Sequence, residues 1–156
     1  MKSLIDPFSK PGHVIRRLQQ IAVLVFQEET AGFKLTPTQY VTLQVVENQP
    51  GIDQVTLSGR TMIDRSMTAR IVDTLARRRL LDRKPSKVDR RANSLFITAK
   101  ARRLLEAIEK EADVSQARIL KPLKPAQRRA FMDMVKIILA AHEQQPNGTG
   151  AKHRAK

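Results

Sequence analysis

The sequence predicts a mainly α-helical fold with a small β-wing: a winged helix-turn-helix domain, extended by N- and C-terminal dimerisation helices. Three observations carry that expectation. Two short helical segments, 54–61 and 65–79, are joined by the tight turn Met62-Ile63-Asp64, the spacing of a helix-turn-helix unit. The second segment runs through Arg77-Arg78-Arg79 into two short β-type stretches, Leu81–Pro85 and Ser94–Thr98, separated by a basic loop that carries Asp89, Arg90 and Arg91. Residues 60–103 hold 14 Lys/Arg against 4 Asp/Glu, so a surplus of ten charges within the total of +14 sits on this one stretch. Charge concentrated in that way is an electrostatic footprint for a polyanion, whereas a merely solvated basic face would spread it along the chain.

Each element has a local reason. Pro11 to Ala31 reads as a helix with Val14, Leu18, Ile21 and Val25 on one face, widened by Ile15, Ala22 and Phe26, and with Gly32 as its terminator. Thr36-Pro37-Thr38-Gln39 is a capping box with proline at the first helical position, and opens a helix that runs to Asn48. Asp53 caps the helix from Gln54, and Asp64 caps the helix from Arg65, with Met67, Ile71, Leu75 and Leu80 expected to face inward. Thr98 caps a long helix from Ala99 to about Leu120. Pro122 and Pro125 interrupt the chain, and a last helix runs to about His142 with Phe131, Met134, Val135, Ile138 and Leu139 apolar. The stripes of the first and last two helices are too broad for a single chain of 156 residues to bury, so a second copy is expected to cover them. The domain is expected to span 1–143, with a DNA-binding lobe at about 36–98 and dimerisation helices at about 11–31 and 99–142. Residues 144–156, rich in Gly, Asn and Lys, read as a disordered basic tail.

Composition narrows the function classes. Aromatics make up 4% of the chain, with no Trp and one Tyr, too few for the stacking platforms of single-strand and RNA binders. No Cys is present, which excludes disulfides and Cys-ligated zinc, and the three His lack ligand spacing. No nucleophile motif or glycine-rich phosphate loop occurs, so neither an enzyme nor a cofactor is expected. The longest apolar run, Ile21–Phe26, is too short for a bilayer, and the N-terminus lacks a signal-peptide core, so a cytoplasmic protein without a membrane partner is expected.

Ile63-Asp64-Arg65-Ser66-Met67-Thr68, Val72 to Leu81, Asp89-Arg90-Arg91-Ala92 and Leu95-Phe96-Ile97-Thr98 together resemble the signature of the MarR family of winged-helix transcriptional regulators, over about residues 11–142. The stretches PGHVIRRLQQ and GIDQVTL are similar to a subgroup that responds to small aromatic carboxylic acids. Three positions depart from the family pattern: Met62, where the turn usually has Gly or a small residue; Met67, where Thr is common; and Lys100-Ala101, where a Gly usually follows the strand.

The resemblance implies a homodimer on a palindromic double-stranded operator, one recognition helix and one wing per half-site. Arg65, Ser66, Met67, Thr68 and Arg70 are the candidates for contact in the major groove, Met67 either as a thymine-methyl contact or as core. Arg91, braced by Asp89, is the candidate for the minor groove, with Arg90 behind it. Arg77, Arg78, Lys84 and Lys87 are expected to face phosphates. His13, Arg17 and Gln20, spaced i, i+4, i+7, share a helix face that in the family lines an effector cleft; with Tyr40 they are the candidates for a small aromatic carboxylate, Arg17 matching the carboxylate with its planar fork. The plainer reading of that triad is a polar cluster facing the partner chain. The alternative to an effector-released repressor is an architectural DNA-binding protein without an effector.

Overall fold

The structure is a computed structural model that describes residues 9–85 and 93–143. Lys87, Asp89, Arg90, Arg91 and the tail 144–156 lie outside the described residues. The elements are α1 (Pro11–Glu29), a single 3₁₀ turn (Ala31–Phe33), α2 (Pro37–Asn48), α3 (Gln54–Thr61), α4 (Arg65–Arg77), β1 (Leu81–Pro85), β2 (Asn93–Ile97), α5 (Ala99–Ile119) and α6 (Pro125–Glu143). One compact unit ends at Ile119 and a second begins at Leu120.

The first unit contains the winged helix together with α1 and α5. Its caps form as the side-chain chemistry requires. Thr36 Oγ1 accepts from the Gln39 amide, and the Gln39 side chain accepts from the Thr36 amide, completing the box at the start of α2. Asp53 accepts from the amides of Val55 and Thr56, Asp64 from that of Met67, and Thr98 from that of Ala101. The core joins Leu43 and Val46 of α2, Leu57 of α3, Ile71, Val72 and Leu75 of α4, Leu80, Leu81 and Leu95 at the hairpin, and Ala101, Ile108 and Ala112 of α5. β1 and β2 pair antiparallel, Leu81 opposite Ile97 and Pro85 opposite Asn93. Ile52 adds a third rung on the far edge of β2: the Gly51 amide donates to the Leu95 carbonyl at 2.8 Å, and the Leu95 amide donates to the Ile52 carbonyl at 2.9 Å. Gly51 sits at φ +87° against the Phe96 ring, a backbone region that favours glycine.

Three expectations change. Gly32 does not terminate α1; the helix stops at Glu29, and Gly32 lies inside the 3₁₀ turn. Buried Thr30 closes the end instead, its hydroxyl and its amide both donating to the Phe26 carbonyl. Met67 does not face inward; it is 44% exposed, because the inward stripe of α4 is Thr68, Ile71, Val72 and Leu75, and Met67 lies about 100° round the helix from Thr68. The recognition helix stops at Arg77, not Arg79. Arg79 takes a left-handed conformation (φ +57°), its amide donates to Ala76 and that of Leu80 to Leu75. This is a Schellman closure with arginine in the place usually held by glycine.

α1 packs along α5, and Arg118 near the end of α5 bridges Glu28 and Glu29 at the end of α1. Part of α1's apolar surface is exposed: Val14, Ile15, Ile21 and Leu24 face solvent, while Leu18, Ala22, Val23 and Val25 are half-buried and Phe26 is buried. In the second unit, Met132, Met134, Ile137, Ile138 and Leu139 of α6 are exposed as well. Among the described residues, no helix is long and apolar enough to cross a membrane, and no cluster of His, Asp or Glu is placed to hold a metal ion.

Candidate nucleic-acid interface and effector cleft

The first two turns of α4 present Arg65, Ser66, Met67 and Arg70 to solvent, and Arg77 is exposed two turns on. Their hydrogen bonds sort them. Ser66 Oγ donates to Asp64 Oδ1 at 2.8 Å, so its proton is committed and its lone pairs remain to accept. The same carboxylate takes the Met67 amide, and these two bonds, the backbone one first, hold its pKa below the ordinary value. Thr68 does not reach the interface: it is 2% exposed and its hydroxyl donates to the Ile63 carbonyl. Buried and bonded in this way, it holds the turn instead of reading a base. Arg65 and Arg70 therefore carry the donor capacity of these turns.

The positioning charges divide in the same way. Arg77 is exposed and donates to Thr74 of its own helix at 3.4 Å. Lys84 on β1 is exposed, its ammonium 5.0 Å from the Phe96 ring centroid, where the ring face attracts a cation. Arg78 is engaged by the protein itself: half-buried, it donates to the Lys34 carbonyl at 2.8 Å and reaches Gln39 Oε1 at 3.4 Å. Arg83, which the sequence did not single out, pairs with Asp73 of α4 and ties the hairpin to the recognition helix. Asp89, Lys87, Arg90 and Arg91 fall outside the described residues.

Two grooves open on α2. One, of about 290 Å³, lies against α5 and is lined by Tyr40, Gln44, Glu47, Arg102, Glu106 and Glu109 among others. The other, of about 300 Å³, reaches α1 and is lined by Phe26, Tyr40, Val41, Gln44, Asp113 and Gln116 among others. Tyr40 stands between them: its ring tilts against Phe26 at 5.4 Å, and its hydroxyl accepts from Gln44 Nε2 at 3.0 Å. Burial, and then the charges of Asp113 and Glu109, raise its pKa above the ordinary 10.0, so it stays a neutral phenol. Arg102 is engaged by Glu47 at 3.1 Å.

Of the four residues grouped as an effector site, only Tyr40 lines either groove. His13, Arg17 and Gln20 are exposed on the first half of α1. Phe26 is the α1 residue that meets Tyr40, and a rise of 1.5 Å per residue puts Arg17 about 13 Å and His13 about 20 Å farther back along the axis. One protomer does not assemble the four into a single pocket. Gln44, Asp113 and Gln116 were missed because α2 and α5 meet only in the tertiary structure; the i, i+4 spacing of Tyr40 and Gln44 was the one local signal.

The MarR family model matches residues 35–92, which run from just before α2 through β1 and stop short of β2. The PcaV transcriptional regulator of Streptomyces coelicolor, solved with its natural ligand, is 30% identical, covers 88% of this chain and 97% of its own, and superposes with a TM-score of 0.80. This chain belongs to the MarR family. BpsR of Bordetella bronchiseptica, whose DNA binding is regulated by 6-hydroxynicotinic acid, is 27% identical over 85% of this chain and 95% of its own, with a TM-score of 0.80. The transcriptional repressor CouR, solved on a 23-mer DNA duplex, is 27% identical over 84% of this chain and 93% of its own, with a TM-score of 0.77. The chain is thus a MarR-type transcriptional regulator built on a DNA-binding fold. Its departures from the family pattern are accommodated locally. Met62 takes the left-handed conformation (φ +54°) that a glycine would take without strain, and Lys100 donates to the Arg78 carbonyl at 3.0 Å.

Proposed function

We propose that this protein is a homodimeric repressor that binds a palindromic operator and is released from it by a small aromatic carboxylate. The observation that carries the reading is the exposed, donor-rich start of α4, Arg65 and Arg70, beside a hairpin within a stretch that holds ten of the fourteen surplus charges. In this reading Arg65, Ser66, Met67 and Arg70 enter the major groove, Arg77, Lys84 and Lys87 hold phosphates, and Arg90 and Arg91 reach the minor groove. The exposed apolar faces of α1 and α6 are the dimer surface, and the winged helix of residues 36–98 is the part presented to DNA.

The effector class rests on similarity to PcaV and BpsR and on the grooves around Tyr40. Tyr40 and Phe26 offer a ring-sized apolar wall, and Gln44 a hydrogen-bonding edge. Glu109 and Asp113 beside them repel a free carboxylate, so the anion must be met by a cation from elsewhere. Arg17 and His13 supply it, and their distance from Tyr40 within one chain makes the second copy's α1 the natural source. A ligand that favours a DNA-incompetent arrangement of the two recognition helices lowers DNA affinity by the same factor by which DNA lowers ligand affinity.

The test is an anisotropy titration of a selected operator duplex, challenged with benzoates, hydroxybenzoates and pyridine carboxylates. Release by at least one acid, lost in Arg17→Ala while DNA affinity is kept, supports the whole reading. Release that persists in Arg17→Ala removes that residue from the pocket. No release by any acid leaves an effector-independent DNA-binding protein.

A further inference from the structure

We propose that Met67 reads sequence: its thioether contacts the 5-methyl group of a thymine in the operator's major groove. This rests on the reading that α4 enters that groove. Met67 is the third residue of α4 and is 44% exposed, although it stands on a strongly amphipathic helix whose core face is complete without it. Its neighbours decide what it can meet. Met67, Arg70, Thr74 and Arg77 follow one another at i, i+3, i+7 and i+10, a row along one side of the helix. Two arginines in that row make it a poor apolar protein interface and a good surface for a polyanion.

The polar means of reading bases in these turns are few. Thr68 is buried, and the Ser66 proton is held by Asp64. Only Arg65 and Arg70 offer donors. Among base edges in the major groove the thymine methyl is the apolar feature, and it discriminates T from C without any hydrogen bond. A methionine suits that contact, since an unbranched, polarisable side chain adapts to the methyl's position where a β-branched one is stiff. Adjacent Arg70 would read or clamp the neighbouring step, which fixes Met67 in register.

The experiment begins with duplexes selected from a random pool by the full-length protein. Each thymine of the selected half-site is then replaced by deoxyuridine, which removes the methyl group and nothing else. Wild type should show one thymine per half-site where the replacement lowers affinity about fourfold, the value of one buried methyl-sized group. In Met67→Ala that thymine should become insensitive, less than about 1.5-fold, while Met67→Leu keeps most of the effect. A selected operator whose deoxyuridine scan is the same in wild type and Met67→Ala overturns the assignment and leaves the repressor reading standing. A pool that yields no preferred sequence overturns both.

Discussion

The Arg78 guanidinium donates to the backbone carbonyl of Lys34, 44 residues earlier in the chain, at 2.8 Å. The bond joins the end of the recognition helix to the left-handed residue (φ +54°) that leads into the α2 capping box, and Gln39 of that box lies within reach of the same guanidinium. The Arg78 carbonyl in turn accepts from Lys100. Charged donors on such carbonyls contribute roughly 1.5–3 kcal/mol. Arg78→Ala should therefore cost about 2 kcal/mol in urea unfolding and leave the salt dependence of DNA binding unchanged. Arg77→Ala should do the opposite, keeping stability and lowering the slope of log Kd against log salt by about 0.9, one phosphate. A reduced salt slope in Arg78→Ala would assign it to phosphate after all.

Met62 closes α3 in the left-handed region with its side chain 66% exposed, so nothing in the core holds it there. A non-glycine residue at positive φ costs on the order of 1–2 kcal/mol, partly offset in glycine by the larger entropy of its unfolded chain. Met62→Gly should raise the urea midpoint by the equivalent of roughly 0.5–1 kcal/mol. Gly51→Ala, at φ +87° with its added carbon 3.5 Å from Phe96, should lower it. An unchanged or lowered midpoint for Met62→Gly would show that the turn carries no such strain.

Asp53 links stability to pH. Its pKa lies below the ordinary 3.8, first because the Thr56 hydroxyl and amide donate to the carboxylate, then because the Val55 amide does, with slight burial opposing. A depressed folded value means that the contribution is fully present above the unfolded value and is lost as pH falls through the folded one. Asp53→Ala should cost about 1 kcal/mol at pH 7, the usual loss of an N-cap. The gap to wild type should narrow as pH drops below the ordinary 3.8. Unfolding curves between pH 2 and 7 for both proteins check this, and a gap that stays constant to pH 2 contradicts it.

The fold was legible wherever a short-range rule governs. Thr36, Asp53, Asp64 and Thr98 announce their helices because a cap needs only the next three residues. The positive band over 60–103 announces a polyanion surface because charge is additive along a chain. What was less legible has a different cause. Thr68 and Arg78 look like surface polar residues, and the structure gives them backbone partners, at Ile63 and Lys34, that the folded chain supplies. Arg79 hides a Schellman closure because no glycine marks it. Periodicity alone points Met67 inward, although Thr68 holds the core position beside it. The grooves around Tyr40 were the least legible part, since residues 40–44 and 102–116 meet only when α2 packs on α5.

The last prediction concerns assembly, where exposure decides the mutations. Ile15 and Leu24 on α1 are each 58% exposed, and Ile137 and Ile138 on α6 are 69% and 52% exposed. Exposed apolar residues on each of these helices mark interaction surfaces, and a second copy of the chain is the partner that the proposed dimeric repressor calls for. Wild type should sediment as a dimer at micromolar concentration, and its melting temperature should rise with protein concentration. Ile138→Glu, and separately Ile15→Glu, should shift the protein toward monomer or expose an unfolded chain, because each buries an unpaired carboxylate in the dimer and none in the isolated chain. A control, Glu106→Lys, changes charge on an exposed α5 position lining the Tyr40 groove and should leave the sedimentation coefficient alone. Wild type that sediments as a folded monomer at these concentrations would overturn the dimer. A dimer that survives both glutamate substitutions would place the interface on another surface.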